Sequence, residues 1–174
     1  TLAREQQLEI MLAAQRWLEL QGPGSPRSGA ARAPGKERAR DARPRQPRIA
    51  RLKVSLRHIR PQIWRRVEVR DDITLARLHH VLQVAMGWDD SHLHAFVVEK
   101  TRYGVPDREW PDDTVSEKKI TLAGIIDRGV KRFSYEYDFG DGWQHEIVIE
   151  RAGDPEDGVG YPRCLAGKRA SPPE

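Results

Sequence analysis

With 174 residues, of which 38% are hydrophobic and 32% charged, the chain has room for one packed domain plus an appendage. No stretch approaches the roughly 20 consecutive apolar residues of a membrane span, and no basic start followed by an apolar run marks a signal peptide. Its single cysteine, Cys164, excludes an internal disulfide, so the cytoplasm is the expected compartment.

The net charge of +4 is unevenly spread. Eight arginines and lysines between Arg27 and Arg48 face only Glu37 and Asp41, and seven more between Arg51 and Arg70 face only Glu68. From Asp71 onward, 13 basic residues meet 20 acidic ones. A basic leading half therefore precedes an acidic body. Such a half can neutralise phosphates without reading sequence, which makes Arg38, Arg40, Arg43, Arg45, Arg48, Arg51, Lys53 and Arg57 candidate nucleic-acid contacts. The same residues also suit a plain solvated linker.

In chain order, residues 1–21 predict an amphipathic helix: Leu8, Met11, Leu12 and Leu18 recur at helical spacing, and Ile10, Ala14 and Trp17 widen the stripe. An exposed stripe of this kind fits docking on the domain, self-association or a protein partner. Residues 22–47 are rich in Gly, Pro, Ala and Arg, lack large apolar side chains, and are expected to form a disordered basic linker. A domain is expected over 48–174. Ala50, Leu52, Val54 and Leu56 alternate with Arg51, Lys53, Ser55 and Arg57, which predicts a strand. Arg60-Pro61 marks a turn, and a second strand runs through Ile63, Arg65, Val67 and Val69. Asp71, Asp72 and Thr74 offer capping oxygens for a helix over Leu75 to Met86, with Gly87 as its stop. A strand around Leu93 to Glu99 follows, then a polar loop carrying Tyr103, Gly104 and Trp110. Thr121 caps a short helix, Leu122 to Ile126. Arg132 to Phe139 and Trp143 to Arg151 alternate around Gly140-Asp141-Gly142, a hairpin signal. The expected fold is α+β, β-β-α-β-(α)-β-β, a mixed or mainly antiparallel sheet on one main helix, with the N-terminal helix separate.

Several candidate chemistries follow. His92 and His94 share a face if both lie on the predicted strand, and His145 follows the hairpin near Asp138 and Asp141. If these strands are neighbours, His92, His94 and His145 converge, with Cys164 available as a fourth ligand for zinc or another divalent ion. An enzyme reading, a metal-assisted hydrolase, would use His92, His94, Asp138, Asp141 and His145. A metal-free reading makes Trp64, Trp88, His94, Asp138, Asp141, Trp143 and His145 a polar pocket at the hairpin. A bland reading makes the aromatics core filling. His79 and His80 on the main helix read as capped or solvated. No cofactor is required by any motif, and no catalytic residue is assigned. Asp138-Phe139-Gly140 lacks every other part of a kinase and reads as a tight turn.

The strings Ile59-Arg60-Pro61-Gln62-Ile63-Trp64-Arg65-Arg66, Ala85-Met86-Gly87-Trp88, Ser91-His92-Leu93-His94-Ala95-Phe96, Tyr135-Glu136-Tyr137-Asp138-Phe139-Gly140-Asp141-Gly142-Trp143-Gln144-His145 and Tyr161-Pro162-Arg163-Cys164-Leu165-Ala166-Gly167 occur in this order. Together they resemble the plasmid pRi ORF-three-like family, also known as the insertion-element passenger protein, TnpR family, over about Arg48 to Glu174. The resemblance implies a compact α+β fold and an association with plasmids and transposable elements. Where the family pattern continues to a Cys-Pro-Pro-Glu-Asp string and a Gly-Gly pair, Ser171 stands at the cysteine position and the sequence stops at Glu174. A resolvase activity finds no support in the residues: Ser55, the nearest imitation of a nucleophile among arginines, lies mid-strand, and no helix-turn-helix follows. The expected role is a non-enzymatic binding or accessory module, with the hydrolase and an assembly scaffold through the N-terminal helix as alternatives.

Overall fold

The structure is a computed structural model that describes residues 45–107, 109 and 111–173. The predicted helix over 1–21 and the linker up to Pro44, with Arg38, Arg40 and Arg43, lie outside the described residues. Among the described residues no helix is long and apolar enough to cross a membrane.

The alternating segments pair as expected. Strand β1 (Ile49–Leu56) and β2 (Trp64–Arg70) form an antiparallel hairpin in which Leu52 faces Val67 and Val54 faces Arg65. Helix α1 (Leu75–Met86) starts at Thr74, whose hydroxyl accepts the Arg77 amide at 3.3 Å, and stops at Gly87 in the left-handed conformation. Asp71 and Asp72 do not cap it. Asp71 instead accepts from Arg45 and Arg48, and Asp72 pairs with Arg70.

The chain then forms β3 (His94–Val98), β4 (Thr101–Gly104), β5 (Val115–Ser116), a 3-10 turn (Glu117–Lys119), α2 (Leu122–Asp127), β6 (Arg132–Tyr137), β7 (Trp143–Gly153) and β8 (Arg163–Lys168). One eight-stranded sheet results, in the order β5-β4-β3-β6-β7-β1-β2-β8, antiparallel throughout except between β4 and β5. The expected α+β sheet is present, but its expected strand order was incomplete. β4, β5 and β8 are too short or too weakly alternating to be read locally. β4 exists because it pairs with β3, where Gly104 lies so close to the His94 carbonyl that a Cβ would sit 3.1 Å from it. β8 completes the far edge by pairing with β2.

Inward-facing Leu52, Val54, Leu56, Val67, Val69, Phe96, Tyr135, Tyr137 and Ile147 pack with Leu75, Leu78 and Leu82 of α1 in one buried cluster. Each such side chain contributes about 1.5–3 kcal/mol through burial. Arg65 also points inward: its Nε donates to the Ala85 carbonyl at 2.8 Å and its Nη1 to that of Trp64 at 3.0 Å. Gly167 on β8 leaves room for it, since a Cβ there would meet the Arg65 side chain at 2.8 Å.

The segments flanking the two helix starts run side by side. The Leu75 amide donates to Ile120 O, that of Leu122 to Ile73 O, and Thr74 bridges Thr121. This pairing sets the 3-10 turn beside α1, far from it in sequence.

Candidate functional site

A buried polar centre lies between α1 and β3, built from residues on separate elements. His79 and Gln83 are one helical turn apart, so both project to the sheet side of α1, where both are buried. Register places Tyr135 opposite Phe96 and Tyr137 opposite His94, which brings these side chains to the same inner face. The His79 and His94 rings stack, with centroids 3.4 Å apart and planes 6° from parallel.

The polar atoms form a closed ring. The Asp90 amide donates to Gln83 Oε1 at 3.1 Å, and Gln83 Nε2 donates to the Tyr135 hydroxyl at 2.8 Å. That hydroxyl lies 2.8 Å from His79 Nδ1, and His79 Nε2 lies 2.6 Å from Asp90 Oδ1. A second pair stands alongside: His94 Nε2 is 3.0 and 3.1 Å from the two carboxylate oxygens of Glu117. His80 Nδ1 approaches the other Asp90 oxygen at 3.1 Å. Burial, assisted by the neighbouring His94, pushes the His79 imidazole down to about 4. Burial also lowers His80 and raises the Tyr135 phenol well above its usual value, so His79 and Tyr135 are neutral at neutral pH.

The sequence-derived candidates are distributed differently from their expected grouping. β6 lies between β3 and β7, so His94 and His145 are not on neighbouring strands. His145 is fully buried, and its Nε2 and the Trp143 Nε1 have no hydrogen-bond partner among the described residues. Cys164, on β8, pairs with Val67 at the opposite side of the sheet from β3, and burial raises its thiol above the usual value. The four residues His92, His94, His145 and Cys164 therefore do not form one ligand set. His92 precedes β3 and approaches Asp138 at 3.7 Å.

The expected hairpin pocket is also divided. Asp138 caps its own turn, accepting from the Gly140 amide at 2.9 Å, while Asp141 is exposed. Trp88 stacks on Tyr137 at 5.1 Å and lies 6.3 Å from Trp143, but Trp64 is on the other sheet face beneath Lys53 and Arg66. His79, expected to be capped or solvated, is buried and hydrogen-bonded on both ring nitrogens. Asp90, Glu117, Gln83 and Tyr135 belong to the centre as well. One local signal existed for two of them: polar His79 and Gln83 interrupt the apolar face of α1 at a spacing of four. Glu117 had none, because only the tertiary pairing of Ile73 and Thr74 with Ile120 to Leu122 brings it in.

The basic candidates also sort into groups. Arg45 and Arg48 pair with Asp71 and Asp127. Arg51 shares Glu68 with Arg151 and Arg163, and Lys53 lies over the Trp64 ring. Arg57, on the loop joining β1 and β2, and Arg60 have no ion pair among the described residues; with His58 they line a concavity of about 1040 Å³.

A single antiparallel-dominated sheet carrying one main helix, with a histidine–carboxylate centre beneath it, thus defines an α+β domain over nearly the last three-quarters of the chain. The model of the plasmid pRiA4b ORF-3-like protein family matches residues 48–174, and the chain belongs to that family. It is 46% identical over 127 residues to the uncharacterized protein y4hQ of Sinorhizobium fredii (strain NBRC 101917 / NGR234), a match covering 72% of this chain and 65% of that relative's length. The crystal structure of a protein of unknown function, MM3350, from Methanosarcina mazei Go1 is similar with a TM-score of 0.67 and 40% identity, covering 74% of this chain and 73% of that one.

Proposed function

We propose that the chain is a non-enzymatic accessory module that contacts nucleic acid through the basic end of its domain and the basic segment before Arg48. The observation that carries this reading is the sorting of the arginines. Those on the sheet are matched by carboxylates except Arg65, which is buried on backbone carbonyls, whereas Arg57 and Arg60 at the β1–β2 loop are unmatched among the described residues and line an open concavity with His58 and Glu146. Unpaired guanidiniums on a surface loop can displace counterions from a phosphate backbone at little desolvation cost. The plasmid-derived family description supports an association with plasmids; that the module also accompanies insertion elements as a passenger protein and works in the cytoplasm is part of the same proposal.

The test is a titration of labelled duplex DNA with the full chain at increasing salt. Binding should be sequence-tolerant and fall steeply with salt. In the double variant Arg57→Glu/Arg60→Glu, the log–log slope should become shallower by about 2. Deleting residues 22–47 should remove most of the remaining affinity. Unchanged affinity in both variants defeats the reading. A hydrolase reading is favoured only by the polar centre, and depends on whether that centre holds a metal.

A further inference from the structure

The polar centre differs from a simple buried hydrogen-bond network in its donor set. Two imidazole nitrogens and two carboxylates converge from α1, the loop after it, β3 and the 3-10 turn. One ligating atom each from His79, Asp90 and His94 lies within 4.8 Å of the other two. Glu117 lies beside this group, with a carboxylate oxygen 3.0 Å from His94 Nε2. Hydrogen bonds between imidazole and carboxylate occupy the very atoms that a cation would use.

We propose that His79, Asp90, His94 and Glu117 form a binding site for a divalent transition metal, with Zn(II) as its best match. This is independent of the nucleic-acid reading and uses none of its residues. Two nitrogens and two carboxylate oxygens suit a borderline cation such as zinc. Calcium and magnesium take sets composed almost wholly of oxygen. Two carboxylates balance the charge of the ion, so the loaded centre is neutral and tolerates its burial.

The geometry needs a local rearrangement of side chains. Ligand bonds of about 2.0–2.2 Å in a tetrahedron place ligand atoms roughly 3.3–3.5 Å apart. The present nitrogen–oxygen separations of 2.6 Å for His79–Asp90 and 3.0 Å for His94–Glu117 must therefore open by less than about 1 Å. The two carboxylates must rotate, and because the imidazole planes are stacked 3.4 Å apart and nearly parallel, one ring must also turn out of the stack so that both lone pairs meet at the ion.

The surroundings also match a metal ligand's support. With a metal on Nε2, His79 carries its proton on Nδ1 and donates it to the Tyr135 hydroxyl, which Gln83 holds in place. Gln83 also accepts from the Asp90 amide, so one side chain fixes both a ligand's support and a ligand's backbone. Entry is open on one side: the Asp90 side chain is 36% exposed and that of His80 32%, while those of His79 and Glu117 are 2% and 4% exposed.

The competing interpretation is that these are structural histidine–carboxylate hydrogen bonds and nothing more. The full chain, stripped with chelator and dialysed, is titrated with zinc chloride alone and assayed by calorimetry and elemental analysis. One equivalent should bind, and the unfolding midpoint should rise by several degrees. The double variant Asp90→Asn/Glu117→Gln keeps the shape and the hydrogen-bonding atoms but removes both charges. It should keep the metal-free circular dichroism spectrum and lose at least about 100-fold in zinc affinity. The variant His92→Asn, outside the set, should bind zinc as the wild type does. Less than a tenth of an equivalent bound by the wild type overturns the proposal. So does equal zinc affinity in the wild type and the double variant, or loss of binding in His92→Asn.

Discussion

Glu68 on the outer sheet face and Glu117 beneath the helix are almost equally inaccessible, at 1% and 3% exposure, yet their surroundings are opposite. Arg51 Nε and Nη2 donate to one Glu68 oxygen at 2.9 and 2.8 Å, Arg151 adds a third donor at 3.2 Å, and Arg163 Nε donates to the other oxygen at 2.7 Å. Burial alone would raise this carboxyl, but the three guanidiniums outweigh it and hold it below its ordinary value. A carboxylate so matched has neither charge nor lone pairs left for a ligand. Glu117 and Asp90 meet imidazoles instead, which bond through an exchangeable proton and bring no permanent charge. Burial of a carboxylate therefore does not mark a site; the chemistry of its partner does.

The largest effect expected from this contrast comes from Glu68→Gln. It keeps the shape but removes the buried anion that three guanidiniums share, leaving Arg163 with Glu156 at 3.0 Å, and should destabilise the domain by about 3 kcal/mol in urea unfolding at neutral pH. Glu117→Gln in metal-free protein should cost about 1 kcal/mol, since an amide can still bond to an imidazole. Equal losses would erase the distinction between the two clusters.

His145 sharpens the comparison through pH. Burial lowers its imidazole from 6.5 to about 4, so the folded chain prefers it neutral. Between those values the unfolded chain binds a proton that the folded chain does not. Stability from this group is thus fully present above about pH 6.5 and is lost as pH falls towards 4, at about 1.4 kcal/mol per unit and on the order of 3 kcal/mol in all. His145→Phe should remove that share of the acid sensitivity, seen as the difference between the two unfolding curves from pH 7 to pH 4. Nε2 finds no partner among the described residues and Nδ1 donates to the Tyr135 carbonyl at a long 3.3 Å, so becoming apolar costs about 1 kcal/mol at neutral pH. Parallel curves for the two proteins would show that His145 titrates normally.

A smaller effect separates the supports of the two clusters. Tyr135→Phe removes the hydroxyl that both Gln83 and His79 reach at 2.8 Å, leaving buried polar atoms unpaired, and should cost about 2 kcal/mol. Arg51→Met leaves Arg151 and Arg163 on Glu68 and should cost no more than about 1 kcal/mol. Chemical denaturation of both variants checks the order; a reversed order would mean that the outer ion cluster, not the inner ring, is the less redundant of the two.

Much of the scaffold was legible locally. Period-two alternation marked β1, β2, β6 and β7, because a strand with one face on a core must alternate. Thr74 and Gly87 marked the ends of α1, because capping oxygens and a left-handed residue are short-range needs. The family was legible from the order of several strings. The identity of the polar centre was not. His92, His94 and His145 are close in sequence or beside a conspicuous turn, whereas the operative neighbours of His94 are His79 and Glu117, 15 residues before it and 23 after it.

What the sequence determined by itself is therefore the alternating strands, the capped helix, the charge asymmetry and the family. Only the tertiary structure decided which polar residues meet. Strand neighbours are chosen by pairing across the whole sheet, and β6 took the place between β3 and β7 that would have joined His94 to His145. The backbone bridge between Thr74 and Thr121 brought Glu117 to the helix instead. Alternation and capping act within a few residues and leave a periodic trace. Encounters between distant segments are settled by the packing of the complete core, which no local pattern records.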